Sequence, residues 1–421
     1  MSFLRSPAFL LTAALVTFAP GAATTSYPRL SPRQNSTMAA TAKALYFITN
    51  DATNAIVALP IGPDGKLSPG TVTQTGGAGS ASLKSDGQPA APDALVSQSA
   101  LTIAGDAIFA VNAGSNTLSM LTICPSDPTR LTLVGQPAAL PGEFPNTVGA
   151  SAKNNLVCVG MTGARAGVSC ARFSPDTGLG PMDALRPFDL GQTTPPVGPA
   201  NTVSQVFFSA DQSMLFATVK GNPAANKTGF FSSFPVEGPC RPRRGRRRSS
   251  LSQMTISPTE TRSTPADTAL LFGAQPVPGT ANVFATDASF GAAVLSVDPA
   301  SGAASTLARG EIEGQAATCW AALSARRGTA FVTDVARGRI VEMGVGDAGV
   351  VGVVEVGEGV QGMIDLRVGG DFVYALAPGD GSGEAAVVVV DVARERAAGM
   401  VQRFGLEGVA GKTAMGMAVL V

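Results

Sequence analysis

Seven short apolar segments recur along this chain at intervals of roughly 40 to 60 residues, a period expected of propeller blades. They are Ala44 to Asn50, Ala107 to Asn112, Asn155 to Gly160, Met214 to Lys220, Asn282 to Asp287, Ala330 to Asp334 and Phe372 to Pro378. Most are followed within a few residues by another strand-like run, such as Ala55 to Pro60, Thr117 to Ile123, Ala292 to Asp298 or Ala385 to Asp391. Turns rich in Asp, Pro and Gly come next, as in Gly62-Pro63-Asp64-Gly65, which is hairpin chemistry. Each unit therefore reads as an inner strand, a stronger second strand, a third strand and an outer link. No segment holds a 3.6-residue apolar period for three turns, which excludes a parallel α/β fold.

The two ends of the chain explain each other. The first unit lacks an inner strand, because Lys43 directly follows a polar, Ser-rich leader, while Met415 to Val421 is strand-like with no second strand behind it. Pairing the last run with Ala44 to Asn50 completes the first blade and closes a ring, hiding the edges that an open repeat would expose. The fold expected is an all-β, seven-bladed β-propeller over residues 43–421, closed by its C-terminal strand and working as a monomer. Abundant Gly (49) and Pro (30), with only 14% charged residues, suit many short strands and tight turns.

Residues 1–23 read as a secretory signal peptide. Arg5 gives a basic start, Ala8 to Phe18 an apolar run, and Gly21 and Ala23 small residues for cleavage. The run is too short for a membrane span, which needs about 20 apolar residues. The expected product is secreted, with a polar leader at 24–42. In an oxidising compartment Cys158 and Cys170, on two strands of one hairpin, are the expected disulfide; Cys124, Cys240 and Cys319 have no assignable partner. Asn35 and Asn226 stand in glycosylation sequons. Six arginines between 241 and 248 form an insert, spanning 239–265, that reads as a solvated loop or as a polyanion or protease-processing site. Net charge is zero, so there is no general footprint for nucleic acid.

The stretches Phe234 to Gly238 (FPVEG), Pro276 to Pro299 and Thr318 to Asp334 (TCWAALSARRGTAFVTD) resemble the secreted fungal branch of the lactonase-type propellers, the 3-carboxymuconate cyclases. The resemblance runs from about Lys43 to Val421, interrupted by the Arg-rich insert. It implies a pocket over the central channel and an enzyme that forms or opens a lactone on a small carboxylated substrate, without metal or other cofactor. In that family the reaction is attributed to a histidine working with Arg and Glu. This chain contains no histidine. It therefore lacks the side chain that titrates near neutrality unperturbed and the common nitrogen ligand for metals, and the family mechanism cannot operate unchanged. Hence a second expectation, a non-catalytic extracellular or cell-wall glycoprotein that binds through the same face.

That face carries the loops between second and third strands and the links into inner strands. Glu143, Arg165 and Glu313 are the candidate catalytic residues there: carboxylates to handle a proton and a guanidinium to hold an anion. Lys220, Asp287, Asp334 and Gln205 are the candidate substrate-binding residues, and Arg337 lies nearby. Asp287 and Asp334 recur at one blade position, so turn capping competes with ligand binding as their role. Gln98, Gln205, Gln315 and Gln361 recur near inner-strand starts as a candidate amide ring.

Overall fold

Seven antiparallel sheets, four of four strands and three of five, arise because the apolar runs of a unit are joined mostly by turns short enough to close a hairpin. The computed structural model describes residues 41–238, 253–357, 360, 362–393 and 398–421. The chain divides into two units, Met1–Arg33 and Gln34–Val421, and all described residues belong to the second. The signal-peptide and leader readings up to residue 40, Asn35, Cys240, the six clustered arginines and Gln361 lie outside the described residues.

Blade 1 has the order Thr71–Gln74, Ala55–Pro60, Ala44–Ile48, Met415–Leu420 from outside to inside. The expected closure is present: Leu45 pairs with Val419 and Tyr46 with Ala418, antiparallel. The inner strands of blades 2 to 7 are Leu101–Ala104, Pro145–Ser151, Val203–Phe208, Leu271–Pro276, Thr318–Ser324 and Ile364–Gly369, which line the centre in that order. Among the described residues the only helical element is the short 3₁₀ turn Pro223–Ala225.

Blades are buried on both faces, which is why the second and third strands read as nearly continuous apolar runs rather than alternating ones. In blade 7 the third strand Ala386–Asp391 keeps Ala386 to Val390 buried. Its Val387 and Val389 join Tyr374 and Leu376 in one cluster with Leu45, Phe47 and Met417 of blade 1, so the closing strand is cemented by side chains as well as by its ladder. Each such side chain contributes about 1.5–3 kcal/mol on burial. In blade 3, Cys158 and Cys170 are direct cross-strand neighbours and form a disulfide.

Candidate functional site

The centre of the ring is filled by the chain itself. The long link from blade 1 to blade 2 turns inward, and its residues Asp93–Ser99 form a strap across the channel. The strap is tied to four blades by hydrogen bonds. From blade 3, Asn146 Nδ2 donates to the Leu95 carbonyl at 3.2 Å and the Asn146 carbonyl accepts from Ser97 Oγ at 2.6 Å, while Thr147 Oγ1 donates to the Gln98 carbonyl at 2.8 Å. From blade 4, the Ser204 carbonyl accepts from the Gln98 amide at 2.9 Å. From blade 6, Trp320 Nε1 donates to the Ser97 carbonyl at 3.0 Å, and the Gln98 carboxamide makes a two-way bond with the backbone of Ala321. From blade 7, Asp365 Oδ2 accepts from the Ser99 amide at 3.1 Å and Arg367 donates to Ser99 Oγ at 2.8 Å. Blade 5 makes room: a Cβ at Gly273 would collide with Gln98 Oε1, so only glycine admits the carboxamide.

The strap's backbone is strained. Asp93, Val96 and Ser99 have φ of 68°, 49° and 65°, and a β-branched residue such as Val96 is seldom found in this left-handed region.

Lys220 sits beneath the strap and is 3% exposed. Its Nζ donates to the Val96 carbonyl at 2.7 Å and to Ser204 Oγ at 3.1 Å, and it lies 4.2 Å from the centre of the Phe272 ring. Burial lowers its ammonium to about 8, against the opposing pull of Asp93. Asp93 responds in the other sense: burial raises its carboxyl to about 7, opposed by Lys220 and by the Ser97 amide. Gln205 also faces the strap, accepting from the Ala274 amide at 2.6 Å and donating to Ser99 Oγ at 3.4 Å.

The other anticipated residues fall into three places. Glu143 and Arg165 stand on neighbouring loops of blade 3, joined through their backbones: the Glu143 amide donates to the Arg165 carbonyl at 3.0 Å, with Glu143 half-buried and Arg165 exposed. Thr194 Oγ1 donates to Glu143 Oε2 at 2.5 Å and orients that carboxylate. Glu313 is held instead by the link into blade 6, in a groove of about 380 Å³ with Gly314, Arg337, Arg339 and Glu355, and does not join Glu143. Asp287 and Asp334 are fully buried and their oxygens are occupied. Asp287 accepts from the amides of Ala269, Leu270 and Ser289 and from Ser289 Oγ. Asp334 accepts from the amides of Ala316 and Ala317 and from Arg339 Nε.

Of the candidate amide ring, Gln98 and Gln205 meet at the strap, while Gln315 bonds locally to the Thr318 amide and the Ala288 carbonyl. Asn226 is exposed on the loop that follows Lys220, at the end of the 3₁₀ turn. Among the described residues no group of three or more Cys, Asp or Glu side chains is placed to hold a metal ion, and no helix is long and apolar enough to cross a membrane. Sequence reasoning did not single out Asp93, Asp365 or Arg367. The stretch Pro89 to Ser99 carries Pro, Asp and Ser like any surface link, and only the ring's closure around it reveals its position.

No family model and no curated protein sequence matches this chain. Its fold matches many solved structures. One is the periplasmic gluconolactonase of Pseudomonas aeruginosa, 15% identical over 90% of this chain and 99% of that one, with a TM-score of 0.61. Another is a candidate 6-phosphogluconolactonase from Bacteroides fragilis, 11% identical over 90% and 98%, TM-score 0.59. A functionally unknown protein from Desulfotomaculum acetoxidans is 10% identical over 90% and 98%, TM-score 0.58. The class is therefore a seven-bladed propeller, similar in fold to solved lactonase-type proteins.

Proposed function

We propose that this chain is a secreted lactonase-type propeller that acts on a small carboxylated molecule or its lactone at the channel mouth. The observation that carries this reading is the rim of blade 3, where a backbone hydrogen bond joins the loops of Glu143 and Arg165 and Thr194 Oγ1 fixes the Glu143 carboxylate, with Arg165 exposed. The solved gluconolactonase of the same fold supports a lactone as the substrate class. In lactone opening, Glu143 would take a proton from water as the water oxygen bonds to the lactone carbonyl carbon. The ring C–O bond then breaks and the proton returns to the leaving oxygen, with Arg165 steadying the negative charge that builds on the carbonyl oxygen. On a carboxymuconate the lactone would form by a different step: a carboxylate oxygen adds to the double bond while Glu143, entering in its protonated form, delivers its proton to the adjacent carbon.

A second reading has its own support. Lys220 lies under the strap, while Asp287 and Asp334 are spent on turns, so a non-catalytic extracellular or cell-wall binding protein would need nothing more than this face. Secretion and glycosylation at Asn35 and Asn226 belong to both readings.

The test follows ultraviolet absorbance of 3-carboxy-cis,cis-muconate, and proton release from glucono-1,5-lactone, with the purified chain beside Glu143→Gln. Turnover that falls at least a hundredfold in the variant supports catalysis at the rim. Absence of turnover on both compounds would overturn the enzymatic reading and leave binding as the function.

A further inference from the structure

Lys220 is a buried cation served by neutral acceptors. Its ammonium bonds to a backbone carbonyl and a hydroxyl, and it makes no close ion pair with a carboxylate among the described residues, Asp93 acting on it from farther off. Keeping a buried charge on such partners is costly, and an anion within hydrogen-bonding distance would serve it better. The group now in that place, the Val96 carbonyl, belongs to the residue held at a φ of 49°.

Around it the channel wall presents polar groups inward from several blades: Ser204 and Gln205 of blade 4, Asn146 and Thr147 of blade 3, Arg367 of blade 7. The strap satisfies most of them and leaves one open. Asn146 Oδ1 is buried without a partner although its own Nδ2 bonds Leu95 of the strap. A segment that strains its backbone and leaves a buried acceptor unpaired fills this space imperfectly.

We propose that the strap Asp93–Ser99 is a displaceable self-ligand, its Val96 carbonyl holding the place on Lys220 that a carboxylate of an incoming ligand would take. The inference rests on the reading above that the ligand is a small carboxylate, and adds that the deeper carboxylate site is masked until the strap moves. Ser99 Oγ leaves Arg367 in the same movement, so a second carboxylate of a dicarboxylic ligand gains a guanidinium.

Two measurements on the full chain decide it separately from the proposed function. The first is acylation of Lys220 by an amine-reactive ester under native conditions, read by peptide mass spectrometry, beside hydrogen exchange of the amides of residues 94–99. The proposal expects both to proceed at least tenfold faster than global unfolding, measured as exchange in the second strand Phe372–Ala377. If Lys220 is modified and the strap amides exchange only with global unfolding, the strap is a fixed part of the core and the proposal is overturned.

The second adds succinate as a dicarboxylate probe to the wild type and to a Lys220→Met variant. Succinate should accelerate strap exchange at least threefold in the wild type and leave it unchanged in the variant, whose unbranched apolar side chain keeps much of the lysine's volume. Succinate that binds without altering strap exchange overturns the displacement while leaving a carboxylate ligand in place elsewhere on the face. A strap that opens but ignores succinate overturns Lys220 as a carboxylate site and leaves the rim chemistry at Glu143 to its own assay.

Discussion

Lys220 Nζ donates to the carbonyl of Val96 at 2.7 Å, a bond between the end of blade 4's second strand and a link that begins in blade 1, 124 residues earlier. It ties the strap to the wall of blade 4, and Asp93 of the same strap acts on the Lys220 charge from farther off.

The pair sets a pH dependence. A carboxyl raised from 3.8 to about 7 holds a proton in the folded chain that the unfolded chain has already released. The stability this contributes is fully present below about 3.8 and is lost as pH rises through about 7. Asp365, also raised by burial against the pull of Arg367, adds in the same direction. The melting temperature should therefore fall by a few degrees between pH 5 and pH 7.5. Asp93→Asn should flatten that slope, since asparagine tolerates the φ of 68° at this position. Scanning calorimetry across the range checks it; an unchanged slope in the variant would remove Asp93 as its source.

Removing Met415–Leu420 should prevent folding rather than trim a tail. The deletion strips the inner strand from blade 1 and uncovers Leu45 and Phe47 with the edge of their strand. Circular dichroism and size-exclusion chromatography of a chain ending at Ala414 should report an aggregated or unfolded product.

Asp287→Ala and Asp334→Ala should each cost about 2–3 kcal/mol in urea unfolding, because each leaves buried backbone amides without acceptors. Ligand binding by the folded fraction should be unchanged. A variant that keeps its stability but loses ligand would return that aspartate to the binding site.

Replacing both Cys158 and Cys170 with alanine opens a cross-link spanning 12 residues, which should lower stability by about 3 kcal/mol on loop entropy alone. Reduction of the wild type should move its urea midpoint in the same direction.

Much of the ring was legible in the sequence because blades bury both faces. Runs such as Val387 to Val390 announce a strand with no environment needed, and the unpaired run at Met415 could be matched to Ala44 by elimination. The pairing of Cys158 with Cys170 followed from hairpin spacing. The centre was less legible. Residues 75–100 carry the turn chemistry of an ordinary surface link, and their inward course depends on hydrogen bonds to residues as distant as Trp320 and Arg367, 223 and 268 positions away. For the same reason Lys220 and Gln205 were found as residues without their main partner, whereas Glu313 and Glu143, alike in loop context, sit on different blades.

Calorimetric titration of the purified chain with gluconate and with succinate decides whether the centre of the ring takes a small carboxylate on Lys220. Saturable binding should weaken at least tenfold in Lys220→Met while the variant keeps its fold. No heat from either compound, or equal affinity in wild type and variant, would contradict it.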